Sequence, residues 1–151
     1  EDNIEALCLM AAMSLATRQA WVYMSGNGVF WNSSITTMPG FQEVPKVSRL
    51  LPKDIMLWPI IIHGGETWKN KRVVAANADG TLRADHIMTD DGRFLVIVYG
   101  DPGVWNIPVS RSFDAELIHP VTGVKTIISK NAGETLNLAF ERGRLLLGKL
   151  R

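Results

Sequence analysis

Arg93–Gly100, RFLVIVYG, follows the turn pair Asp91-Gly92 and runs into Asp101-Pro102-Gly103. Phe94, Leu95, Val96, Ile97, Val98 and Tyr99 form an unbroken apolar run, rich in β-branched and aromatic residues and too short for a typical helix. Such a run reads as a strand buried on both faces, and the core of the chain is expected to form around it.

Working outward, the sequence from Trp58 to Arg151 reads as strands separated by turns at short intervals. The expected strands are Pro59–His63, Arg72–Ala78, Leu82–Thr89, Arg93–Tyr99, Asn106–Val109, Phe113–His119, Val124–Ser129, Glu134–Phe140 and Arg144–Leu150. Between them stand explicit turn signals: Asp79-Gly80, Asp91-Gly92, Pro120-Val121-Thr122-Gly123, Asn131-Ala132-Gly133 and Arg142-Gly143. Phe113, Ala115 and Leu117 alternate with Ser112, Asp114 and Glu116, as a sheet with one wet face requires. Strands at this spacing favour an antiparallel sandwich, and its agreement of turns with strand periodicity favours a unit that folds by itself from about Ile60.

The N-terminal part is different. Asp2 or Asn3 can cap a helix whose Ile4, Leu7, Cys8, Ala11 and Leu15 follow helical spacing, with Glu5 at the positive end of its dipole. The opposite face carries Ala6, Leu9, Met10, Ala12 and Met13, and a helix apolar nearly all round is enclosed on several sides. This helix asks for more protein around it than the chain obviously provides. Ala20–Met24 reads as a short strand ending in Ser25-Gly26-Asn27-Gly28. Val29–Gly40 reads as a long polar loop, a lid, a partner contact or a disordered stretch. Val44, Val47, Leu50 and Leu51 then mark a second helix that Pro52 stops. The class implied is α+β: a short N-terminal helix-strand-helix segment, residues 1–58, followed by an antiparallel β-sandwich, residues 59–151.

Composition narrows the function classes. The 151 residues carry Lys+Arg 16 against Asp+Glu 15, so no charge excess points to nucleic acid or to an anionic membrane. Ile4–Ala16 is shorter than the ~20 apolar residues of a membrane span. The chain begins at Glu1 rather than Met, so a missing leader is uninformative about secretion, and the compartment stays open. The single cysteine, Cys8, lies among apolar residues and reads as a buried, inert thiol.

Few residues carry a chemical signal. Asp79, Asp85, Asp90 and Asp91 with His86 resemble a metal cluster only in composition; the glycine after Asp79 and after Asp91 assigns those two to turns, and the spacing fits no calcium loop. His63-Gly64-Gly65-Glu66 reads either as a close approach to a ligand or as a linker. His119 is expected to be exposed and structural. No histidine pair has metal-ligand spacing, no serine lies in a nucleophile elbow, and no phosphate loop is present, so no metal and no cofactor are expected. Trp21 and Trp58 read as core, whereas Trp31 lies in a polar loop where its indole can stack on a sugar ring.

The order helix, AWVYMSGNGVF, long loop, PGFQEVPKVSRLLP, then DGRFLVIVYGDPGVWNIPVS, DAELIHPVTGVK and GETLNLAF resembles the C-terminal part of retaining (β/α)8-barrel glycoside hydrolases that carry a C-terminal β-sandwich. That resemblance implies that Asn3–Leu51 corresponds to the seventh helix, eighth strand and eighth helix of a barrel, and Ile60–Arg151 to the sandwich. In such enzymes the two catalytic carboxylates lie on earlier strands, so no residue here inherits either role and the chain alone is expected to be inactive. The resemblance gives Ser25, Asn27 and Trp31 as the substrate-binding candidates, an oligo- or polysaccharide as partner, and a companion chain or self-association as cover for the first helix. The alternative is a free-standing β-sandwich binding or scaffold module whose N-terminal helices bury themselves against the sheet or in a homo-oligomer.

Overall fold

The computed structural model describes residues 4–17, 24–25, 28–29, 41–58, 60–61 and 72–151. In chain order these form helix α1 (Ile4–Thr17), strands β1 (Met24–Ser25) and β2 (Gly28–Val29), 3₁₀ helices Phe41–Leu50 and Ile55–Leu57, and strand β3 (Ile60–Ile61). Strands β4 (Leu82–Met88), β5 (Arg93–Gly100), β6 (Gly103–Pro108), β7 (Phe113–Ile118), β8 (Lys125–Lys130), β9 (Thr135–Phe140) and β10 (Gly143–Leu150) complete it. The chain is α+β, a helical segment followed by an antiparallel sandwich. The sandwich is built of a sheet of order β3-β4-β5-β10-β7-β8 and the two-stranded ribbon β6-β9, and β1 and β2 form a separate pair.

β5 is the inner strand that its sequence demands. It pairs antiparallel with β4 on one side and with β10 on the other, so that Val96 stands between His86 and Leu146. Phe94 through Val98 are all fully buried. Successive side chains leave a strand on opposite faces, and the two faces of β5 feed two separate cores. Leu95 and Ile97 join Ile87, Ile118 and Leu145 beneath Leu7, Cys8 and Val47 of the helical layer. Phe94, Val96 and Val98 join Leu146, Phe113 and the ribbon residues Ile107, Leu136, Leu138 and Phe140. Phe94 and Phe113 meet edge to face with ring centroids 5.6 Å apart.

The all-round apolar character of α1 is met largely within the chain. Leu7, Cys8 and Ala11 are buried, and so are Leu9 and Ala12 of the opposite face, because the sheet lies on one side and residues 41–57 on the other. Met10 alone of its large side chains is 46% exposed. The helix is 14 residues long, and no helix among the described residues is long and apolar enough to cross a membrane. The core shared by α1 and the large sheet spans the division expected at residues 58 and 59.

Two elements differ from expectation in form. The helix expected around Val44–Leu51 is 3₁₀, with Val44 and Val47 buried and Leu50 half-buried. Spacing by three lines those residues up on a helix of three residues per turn. The strand expected at Arg72–Ala78 is reduced to one bridge, Val74 to Val109. Val73 and Val74 both send their N–H to Nε2 of His86, at 3.1 and 3.4 Å, whereas successive N–H groups of an extended strand point to opposite sides. The expected cap at Asp2 or Asn3, the strand portion 20–23, most of the loop 29–40 and the His63–Glu66 motif lie outside the described residues.

Replacing Val96 with Asp puts an uncompensated carboxylate into the core between the large sheet and the ribbon. The expected cost is several kcal/mol, comparable with the ~5–15 kcal/mol stability of a whole domain. Loss of the cooperative thermal transition in circular dichroism checks it; a melt near the parent's contradicts the placement.

Candidate functional site

The residues singled out for saccharide contact are sparsely described. Ser25 ends β1 and pairs with Gly28, while Met24 pairs with Val29, so the backbone forms a two-residue antiparallel hairpin. The side chain of Ser25, and Asn27 and Trp31 entirely, lie outside the described residues, as do Trp21 and Trp68. Trp58 is buried, as expected of a core indole, and Arg93 lies over its ring at 5.1 Å. Asp54 completes that contact, 3.2 Å from Arg93; the Trp58 indole and the Arg93 guanidinium beside it hold its carboxyl below the ordinary carboxylate range.

Polar chemistry concentrates at two other places. The first joins α1 to the sheet. Glu5, buried in the first turn of α1, has an Oε1 that accepts from the backbone N–H of Arg142 at 3.0 Å, that of Gly143 at 2.9 Å and Nη1 of Arg144 at 2.8 Å. Glycine is required there: a Cβ on Gly143 would lie 2.2 Å from the carbonyl oxygen of Val98 and 2.8 Å from Cδ1 of Leu9. Nε2 of His119 lies 3.8 Å from Glu5 Oε2. Nδ1 of His119 accepts from the N–H of Val121 and of Thr122 at 3.2 and 3.3 Å, which places the neutral ring's proton on Nε2, facing Glu5. His119 is therefore structural but half-buried rather than exposed, and burial, with Arg144 beside it, lowers its pKa. Its turn uses the ring as a backbone acceptor, which draws it in.

The second lies at β4 and β5. Arg83 and Asp85 project to the same side of β4, and Tyr99 sits across from Arg83 on β5. The Tyr99 hydroxyl lies near the Asp85 carboxylate and the Arg83 guanidinium, and burial together with the Asp85 carboxylate raises its pKa. On the other face of β4, Nδ1 of His86 donates to the carbonyl of Ala84 at 3.2 Å, and Nε2 takes the two valine N–H groups. Burial lowers the His86 pKa to about 4. His86 is thus a neutral structural ring, and its two nitrogens are both occupied.

The acidic group does not converge on a metal. Asp79 accepts from the N–H and hydroxyl of Thr81, and Asp91 from the Thr89 hydroxyl and Arg93, each beside a glycine at positive φ. Those donors lower both carboxyl pKa values. Among the described residues no three His, Cys, Asp or Glu side chains are placed to hold a metal ion. Cys8 is buried, and burial, with Glu43 and Glu5 nearby, pushes its thiol up to about 11, which makes it a poor nucleophile.

Sequence reasoning assigned Glu5 to the helix dipole and missed its partners, which stand more than a hundred positions away. The glycine flanked by arginines at 142–144 was the only local sign. The alternation of Arg83 and Asp85 with Leu82 and Ala84 would have put both on one face of the strand, had the register with Tyr99 been known.

No family model matches the chain, and no curated protein matches it. A solved structure of a protein of unknown function (DUF1255) from Acidithiobacillus ferrooxidans has 15% identity and covers 62% of this chain and 91% of that one, at a TM-score of 0.20. A likeness of that size carries no argument.

Two outcomes follow from this geometry. Glu5→Ala strips three donors of their acceptor and should destabilise the fold by about 3 kcal/mol, as breaking a buried ion pair does. Glu5→Gln should recover part of that, because an amide oxygen still accepts the backbone N–H groups; urea titration of both variants measures it. Stability should also fall with acidification. His86 binds a proton near 6.5 when unfolded but only near 4 when folded, so between those values the unfolded state holds the extra proton and gains. From pH 7 to pH 5 the loss is about 2 kcal/mol, with His119 adding in the same direction. A flat stability profile over that interval would contradict the neutral, buried ring.

Proposed function

We propose that this chain is the supporting C-terminal part of a carbohydrate-active protein, in which the sandwich carries a helical segment whose loop, with Ser25, Asn27 and Trp31, meets an oligo- or polysaccharide. The catalytic carboxylates belong elsewhere in this reading. The observation that carries it is the state of α1. Its first turn is fixed to β10 by Glu5. Beside it an open apolar groove of about 330 Å³ lies between Ala6, Leu9, Met10 and Met13 of the helix and Tyr99, Gly100 and Arg142. An apolar helix face beside a groove suits a further packed layer, as the resemblance to the end of a (β/α)8 barrel implies.

The second reading, a free-standing binding or scaffold module without catalytic activity, draws support from the same helix. Leu9 and Ala12 are buried by this chain alone, so much of what a companion would cover is already covered. Molar mass by light scattering separates the two: a stable monomer favours the module, whereas self-association abolished by Met10→Lys favours a companion layer.

Saccharide contact is tested at Trp31. Trp31→Ala should abolish the tryptophan fluorescence change on titration with oligosaccharides while leaving the melt nearly unmoved. A core tryptophan would instead cost about 3–5 kcal/mol on truncation, and that result, or a parent protein blind to every oligosaccharide, ends the sugar-platform reading.

A further inference from the structure

A groove of about 520 Å³ runs along β4, lined by Arg72, Asn77, Gly80, Arg83, Asp85 and His86. Its volume falls within the ~300–1,000 Å³ of small-ligand sites. Two guanidinium groups line it, and their state differs from that of Arg93 and Arg144, which are held by carboxylates. Neither Arg72 nor Arg83 has an ion-pair partner among the described residues. Arg83 stands across from Tyr99 on β5, and its Nη2 lies beside the Gly80 turn, 3.6 Å from where a Cβ of Gly80 would be.

Asp85 supplies the opposite chemistry. It lines the same groove, is only 5% exposed, and has the Tyr99 hydroxyl nearby, and a carboxylate offers about four acceptor positions. His86 contributes no charge, since both ring nitrogens serve backbone partners. Two cations and one anion leave the groove with one net positive charge. A ligand matching it carries one carboxylate for a guanidinium fork, where Arg gives paired, charge-assisted hydrogen bonds. It also carries hydroxyl groups to donate to Asp85.

We propose that this groove binds a polyhydroxy carboxylate, with Arg72 and Arg83 taking the carboxylate and Asp85 a hydroxyl, the chemistry of a uronic acid residue. The choice of an acidic sugar among hydroxy acids rests on the carbohydrate reading above; the pairing of carboxylate with hydroxyl rests on the groove alone.

The test is titration of the full chain with D-glucuronate, D-glucose and malate, followed by amide shifts in the NMR spectrum. Glucuronate should shift the amides of Asn77–Asp85, and glucose should bind at least about tenfold more weakly, as loss of a charge-assisted pair requires. Arg72→Gln and Arg83→Gln should each weaken glucuronate by a similar factor with unchanged melting. No shift at the groove with glucuronate overturns the proposal, as does malate binding where glucuronate does not. Where glucuronate fails at the groove but neutral oligosaccharides still bind elsewhere, the groove proposal falls and the Trp31 reading stands.

Discussion

The structure depends on one strand having no wet face. Phe94–Val98 is apolar at every position, so each side of the sheet at β5 must be covered by something apolar. One side is closed by the ribbon β6-β9 and the other by α1 with the 3₁₀ helices, which gives three layers where a plain two-sheet sandwich would give two. Removing either cover exposes fully buried Leu95 and Ile97, or Val96 and Val98, at about 1.5–3 kcal/mol for each side chain returned to water. The helical segment is therefore part of the core, whatever further surface it offers.

The clamp at Glu5 decides how that cover is oriented. A buried carboxylate is costly unless its lone pairs are filled, and three donors at β10 fill one oxygen of Glu5. The close approach that this needs is allowed by Gly143, which lacks the Cβ that would strike Val98 and Leu9. The consequence is a helix whose first turn is fixed to the large sheet.

Much of this was legible in the sequence because it is local. Asp79-Gly80 and Asp91-Gly92 announce their turns by residue type, and Gly80 and Gly92 take the positive φ expected of them. The alternation in Phe113–Ile118 and the unbroken run in Arg93–Gly100 separate a half-wet strand from a buried one. What was not legible depends on long-range pairing. That Gly143–Leu150 lies beside Arg93–Gly100, that Glu5 reaches Arg144, and that His86 bends Val73 and Val74 out of a strand are facts of register and packing. No residue type near them encodes the partner. The candidate groove was hidden for the same reason: Arg83 and Asp85 come beside Tyr99 only once β4 and β5 are aligned.

The central claim is that α1 and the large sheet form one cooperative unit across the division at residues 58 and 59. Native-state hydrogen exchange in low denaturant tests it most directly, by comparing the opening free energies of the Leu7–Ala12 amides with those of Leu95–Val98. The account predicts that the two sets merge into a single global unfolding event. Exchange of the α1 amides through a separate, much less costly opening, with β5 still protected, would contradict it.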